Sequence, residues 1–162
     1  MLYPVLPKVA GATIRRALFV SEQLHAVLNS PEGTDEWEKR IGYLRADLEV
    51  FVSAATITPK YLFHLYPARD GVWEIRSTKP DPSIRVMGLF AAKDILVCTN
   101  YAIREDLGGW QSREWKEAKR QTAAQWRVLF HSYGHVIEHD VKRLVSGALD
   151  GKYFKGEPPG GA

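Results

Sequence analysis

Residues 71–104 restrict the fold more than any other stretch of the chain. They read Gly71-Val-Trp-Glu-Ile-Arg-Ser-Thr78, then Ile84-Arg-Val-Met-Gly-Leu-Phe90, then Ile95-Leu-Val-Cys-Thr-Asn-Tyr-Ala-Ile-Arg104. β-Branched and aromatic residues dominate each segment, and such residues fit a pleated, half-buried surface. Lys79-Pro-Asp-Pro-Ser83 separates the first two segments. Its prolines cannot donate to a ladder and favour a turn. Ala91-Ala-Lys-Asp94 is short enough for a hairpin loop. A meander of three antiparallel strands is therefore predicted.

Side chains on a strand alternate between faces. Val72, Glu74 and Arg76 then share one face, and Trp73, Ile75 and Ser77 the other. Trp73 and Ile75 are the pair suited to pack against helices, which turns Arg76 away from them. Arg85 likewise faces opposite to Ile84, Val86 and Phe90. The expectation is that Arg76 and Arg85 stand together on a face that the helices leave open. The wholly apolar run 95–98 reads as a central strand covered on both sides.

Ahead of the meander, Ile14, Ala17, Leu18, Leu24 and Leu28 recur at helical spacing and predict a helix from Val9 to about Leu28. Asn29-Ser-Pro-Glu-Gly33 ends it. A second helix starts at Thr34 or Asp35, where Asp35 and Glu38 resemble a capping box. Trp37, Ile41, Leu44, Leu48, Phe51, Val52 and Ala55 form its apolar face, and Thr58-Pro59 closes it. The short connection predicts a helical hairpin. Leu62–Tyr66 is a short strand candidate, and Asp70-Gly71 signals the turn into the meander.

After Gly108-Gly109 a long helix begins near Gln111. At 100° per residue, Trp115, Ala118, Thr122, Trp126 and Leu129 fall on one arc, with Arg113, Lys116, Arg120 and Arg127 nearly opposite. Val136–Leu149 reads as helical again. The fold expected is one α+β domain over residues 1–150, a helical hairpin packed on a small antiparallel β-sheet and followed by C-terminal helices. A Gly/Pro-rich tail over 151–162 is expected to be mobile.

With 162 residues one domain buries a core without staples. A formal net charge of +3 and a pI of about 9.0 permit a nucleic-acid or acidic partner without demanding one. The single cysteine, Cys98, allows no internal disulfide and suits a reducing compartment. No run approaches the roughly 20 apolar residues that span a bilayer. Pro4 and Pro7 interrupt any leader pattern at the amino terminus. A soluble cytoplasmic protein with no membrane partner is expected.

Several of these segments together resemble a known family. Trp73-Glu-Ile-Arg76, Ile84-Arg-Val86, the strand Ile95–Cys98 running into Asn100-Tyr-Ala-Ile-Arg104, and Trp115-Lys-Glu-Ala-Lys-Arg120 are similar to segments of the RelE/HigB toxin superfamily, in particular its phage-derived HigB-like branch. The resemblance covers residues 35–125. It implies a helical hairpin on a small antiparallel sheet with a helix after the last strand. It also implies the toxin of a type II toxin–antitoxin pair, an endoribonuclease that cleaves mRNA at the ribosome and is neutralised by a cognate antitoxin protein. Arg76 and Arg85 match the family's strand arginines and would clamp phosphate, Tyr101 matches an aromatic position on the last strand, and Arg104 matches a basic position after it. Arginine suits such a task through its planar, permanently charged fork.

This chain departs from the pattern in three respects. Many members carry a histidine near the position of Thr99 and paired lysines near Ile103-Arg104, and the chain continues from His131 to Ala162 where members usually end. The alternatives are a non-catalytic RNA- or protein-binding module on the same scaffold, and a gyrase-inhibiting toxin.

His131, His135 and His139 recur every fourth residue, and His135-Val-Ile-Glu-His139 matches the H-x-x-E-H pattern of metalloenzymes. Gly134 weakens a helix there and no third ligand is evident. The expectation is three partly exposed histidines at a helix junction, with no metal and no cofactor. Arg113, Lys116, Arg120 and Arg127 form either a solvated helix face braced by Glu117 or a surface for RNA or the ribosome. Trp110, Trp115 and Trp126 have the look of a base-stacking set, but their helical spacing favours core packing.

Overall fold

The structure is a computed structural model that describes residues 1–156; the expected tail residues 157–162 lie outside it. The meander forms as its turns dictate. Strands β4 (Val72–Ser77), β5 (Ile84–Ala92) and β6 (Ile95–Ile103) pair antiparallel in succession, and β3 (Leu62–His64) joins β4 on its far side. Arg76 lies directly opposite Arg85.

The other half of the sheet corrects the expectation. Ala17–Ser21, predicted as part of a first helix, is strand β2, and it runs parallel to β6. Leu2–Pro4 is strand β1, antiparallel to β2. The sheet is therefore mixed, in the order β1-β2-β6-β5-β4-β3. A five-residue run such as Ala-Leu-Phe-Val-Ser satisfies a period of 2 as readily as one of 3.6, and Leu18 and Val20 bury while Phe19 turns to the other face. Pairing with β2 also supplies backbone partners to residues 95–98 of β6, which would otherwise be an edge. Helix α1 is correspondingly short, Glu22–Asn29, with the Ser21 hydroxyl capping it at Leu24 N–H.

Helix α2 (Asp35–Ser53) begins where predicted, with the Thr34 side chain accepting from Trp37 N–H at 3.1 Å. It packs with α1 on one face of the sheet. Ile41, Leu44, Leu48, Phe51 and Val52 meet Leu18, Val20, Trp73, Ile75, Ile84, Val86, Phe90, Leu96 and Cys98 in a buried core. Helix α3 (Arg113–Phe130), capped by Ser112, lies across the opposite face. Trp115, Ala118 and Trp126 pack there on Val72, Met87, Leu89 and Val97. The face expected to be open is thus largely covered. Its uncovered part is the end that carries Glu74, Arg76 and Arg85.

A bulge decides how β6 presents its side chains. Gly88 pairs with Cys98 and Met87 with Asn100, which leaves Thr99 without a partner on β5. Thr99 and Asn100 both reach α3, at Thr122 O and Ala118 O. Beyond them the alternation is reversed. A Cβ on Gly88 would stand 2.4 Å from Val97 O, so the close approach at this shift requires glycine.

The C-terminal region also departs from expectation. Val136–Leu149 is not one helix; only α4 (Val141–Leu144) is helical. The backbone of 144–149 is instead held by partners elsewhere. Asp94 N–H donates to Leu144 O, Ser146 N–H donates to the Asp94 carboxylate, and Ile57 exchanges hydrogen bonds with Gly147 and Leu149. Arg16, 3% exposed, donates to the carbonyls of Phe51, Ala54 and Ser146. As far as Gly156 the expected tail packs. Tyr153 and Phe154 are buried, and the Tyr153 hydroxyl donates to the Ile57 and Leu149 carbonyls. Among the described residues no helix is long and apolar enough to cross a membrane.

His64 sits under this segment, 1% exposed and stacked on Trp73 at 4.3 Å. Its Nε2 faces the Ala68 carbonyl at 3.1 Å and so carries the hydrogen; its Nδ1 accepts from His139 Nδ1 at 3.3 Å. Burial, followed by the neighbouring His139, pushes the His64 pKa down from 6.5 to about 4. The unfolded chain therefore takes up the extra proton in that window. Stability is fully present above pH 6.5 and falls as the pH drops toward about 4, by up to about 3 kcal/mol. Urea unfolding across this range should show the loss, and His64→Phe should flatten it. An unchanged pH slope in His64→Phe would contradict the assignment.

Candidate functional site

The uncovered end of the α3 face holds Glu74 and Arg76 from β4, Arg85 from β5 and Arg104 from the turn after β6. Two arginines directly opposite on adjacent strands repel each other. Glu74, on the same face and 2% exposed, relieves this. Its Oε1 accepts from Arg76 Nε at 2.9 Å, and its Oε2 lies 3.6 Å from Arg85 Nε. Burial raises the Glu74 pKa, while Arg76, Arg85 and Arg104 pull it back down. Burial also lowers the pKa of Arg85, against the pull of Glu74, without removing the charge of a guanidinium.

Each guanidinium is further oriented by a neighbour. Arg76 lies over the Phe63 ring at 4.2 Å, and Arg85 donates to the Ser83 hydroxyl at 2.9 Å. Arg104 lies 5.5 Å over Trp115 and donates to Gly108 O at 2.8 Å. Stacking and hydrogen bonding fix the planes of these side chains before any ligand arrives.

They line a cavity of about 270 Å³ together with Lys119 of α3, Lys155 of the C-terminal segment and the rings of Phe63, Tyr66, Trp110 and Trp115. The Lys119 ammonium donates to the Tyr66 carbonyl, and burial lowers its pKa. Lys155 sits 4.9 Å over the Trp110 ring. Five basic side chains thus face one carboxylate among the described lining residues. Such an excess in a partly enclosed space favours an anion, and arginine forks suit the tetrahedral oxygens of a phosphate.

Of the residues expected to act together, Arg76, Arg85 and Arg104 are brought together and Tyr101 is not. Unbroken alternation from Val97 would put Tyr101 on the α3 face. The bulge at Thr99 sends it to the opposite face, where it packs against the core under α1 and α2, paired with Val86. The same reversal places Arg104 in the pocket.

The basic stripe divides. Lys116, Arg120 and Arg127 border a second groove with Arg69, Asp70 and His135, and this groove shares Tyr66, Gln111 and Lys119 with the first cavity. Arg113 lies apart, beside Glu114, Glu117 and Asn100. Arg120 also pairs with Glu117 at 2.5 Å, as a braced helix face would. A continuous basic track therefore runs from Arg76 past Lys119 to Arg127.

The histidine motif is not helical. His135 meets Asp70 O at 2.8 Å, His139 meets His64, and Glu138 pairs with Arg143 at 3.4 Å. No group of three His, Cys, Asp or Glu side chains among the described residues is placed to hold a metal ion.

Sequence reasoning missed Lys119, Lys155 and the aromatic wall. Lys119 was within reach, since it follows Lys116 on the same side of the helix. Lys155 carried no signal, because Phe154 seats it through contacts with His64 and His139 that are remote in sequence. No protein-family model, curated protein or solved structure matches the chain.

Proposed function

We propose that this chain acts on RNA, holding a backbone phosphate between Arg76, Arg85 and Arg104 while the strand continues along Lys116, Arg120 and Arg127. Together with the resemblance to RelE/HigB toxins, this supports a toxin-like endoribonuclease that cleaves mRNA at the ribosome and is restrained by a protein antitoxin. The observation that carries the reading is the pair of opposed strand arginines flanking a buried glutamate at the floor of a cationic cavity.

Cleavage by attack of a 2′-hydroxyl needs the charge developing on the phosphoryl oxygens stabilised, one proton taken from the hydroxyl and one given to the leaving 5′-oxygen. The arginines supply the first requirement. For the second, Tyr101 faces away, His64 is buried beneath Phe154, and His131 is exposed just beyond α3. The proton-transfer groups within the cavity are Glu74, Tyr66, Lys119 and Lys155. The lowered pKa of Lys119 favours proton exchange by that residue. That no histidine lines the cavity among the described residues favours a second reading, an RNA-binding module without cleavage.

Addition of the purified chain to a bacterial translation extract should reduce protein synthesis and produce new 5′ ends within the message, mapped by primer extension. Undiminished synthesis with intact message removes the toxin reading. Binding of RNA without new ends leaves the module.

A further inference from the structure

The three tryptophans that helical spacing assigned to packing do not behave alike. Trp115 and Trp126 are 8% and 3% exposed, whereas Trp110 is 53% exposed. Trp110 stands at the rim of the cationic cavity, just after Gly108-Gly109 and before the cap of α3. Its ring meets Tyr66 at 5.7 Å and 54°, and its face is otherwise overlain by the Lys155 ammonium at 4.9 Å. The cavity is thus two-sided. Guanidinium groups lie on Glu74 and Phe63 at the sheet, and the aromatic rings of Tyr66 and Trp110 rise at the wall.

An exposed indole beside fixed guanidinium groups matches a ligand that carries a planar ring next to a phosphate. We infer that the cavity takes one unpaired nucleotide, its base stacked on Trp110 and its phosphate on Arg76, Arg85 and Arg104, so that single-stranded RNA is selected over duplex. This rests on the RNA reading above and names the form of RNA that the site accepts. In a duplex both faces of every base are already stacked, and a cavity of about 270 Å³ does not admit paired strands. Lys155 leaves the indole face as the base arrives and stays beside the backbone phosphate. Stacking is tolerant of base identity, so the selection is for an unpaired base rather than for a sequence.

The test uses the full chain, Trp110→Ala and Trp110→Phe. Fluorescence anisotropy is measured with an end-labelled single-stranded oligoribonucleotide, with its duplex, and with an abasic strand of the same length. The wild-type chain should bind the single strand at least about tenfold tighter than either of the other two. Trp110→Ala should lose about tenfold on the single strand and nothing on the abasic one, and Trp110→Phe should restore most of the loss. With half of its surface in solvent, Trp110 can be changed without unfolding the chain. Tight single-strand binding that Trp110→Ala leaves unchanged overturns this inference alone. A wild-type chain that binds none of the three strands overturns the RNA reading and the inference with it.

Discussion

Replacing Arg16 with methionine is expected to lower the unfolding free energy by about 3–5 kcal/mol, since each orphaned buried acceptor costs about 1–3 kcal/mol. The Arg16 guanidinium is 3% exposed and donates to three backbone carbonyls, Phe51 and Ala54 at the end of α2 and Ser146 after α4. Methionine fills much of the volume but offers no donor. The substitution therefore strands the carbonyls and unties the C-terminal segment from α2. Burial lowers the Arg16 pKa and Asp94 opposes this, so the charge itself is held at some cost. Chemical denaturation of the two chains measures the difference. A loss below about 1 kcal/mol would mean that Asp94 alone anchors Ser146.

The second large effect falls on function. Arg85→Lys keeps the charge and removes the fork, and binding of single-stranded RNA should weaken by about ten- to a hundredfold, the worth of a lost charge-assisted pair. Arg85 is 13% exposed and faces a carboxylate that is 2% exposed, so the variant should also lose about 1 kcal/mol of stability. This is more than an arginine free in solvent would show and less than would unfold the chain. Arg76→Lys should act in the same direction, with the added loss of stacking over Phe63. A variant that keeps full RNA affinity while its stability drops would make the pair a structural ion bridge to Glu74 and nothing more.

How far the sequence leads depends on the element. The meander is legible because period-2 alternation, two prolines and a short second loop all agree on it. The basic stripe and the packing face of α3 follow from 100° spacing alone, and Trp115, Ala118, Thr122 and Trp126 are buried as that spacing requires. Strand β2 is not legible, since Ala17–Ser21 is too short to tell one period from another and its pairing with β6 is set by residues far along the chain. Tyr101 fails for a related reason. One unpaired residue, Thr99, reverses every later side chain on β6, and nothing local to β6 announces it. The covering of the arginine face by α3 was concealed as well, because an amphipathic helix does not state which face of a sheet it will take. That Arg76 and Arg85 fall side by side was legible, since both follow from strand parity and turn position.

The central claim is that this cationic cavity holds RNA by its phosphates, and the dependence of affinity on salt tests it most directly. Anisotropy titrations of a labelled single-stranded oligoribonucleotide, run at a series of salt concentrations, give the slope of log K against log salt. The one phosphate held by Arg76, Arg85 and Arg104 and about two more contacted along α3 predict a slope of about −2, from about −0.7 for each phosphate neutralised. Arg85→Ala leaves that phosphate to two arginines, so it should weaken binding at every salt concentration and reduce the magnitude of the slope by at most about 0.7. A slope near zero, or an affinity that Arg85→Ala leaves unchanged, would contradict the assignment of the cavity to RNA phosphate.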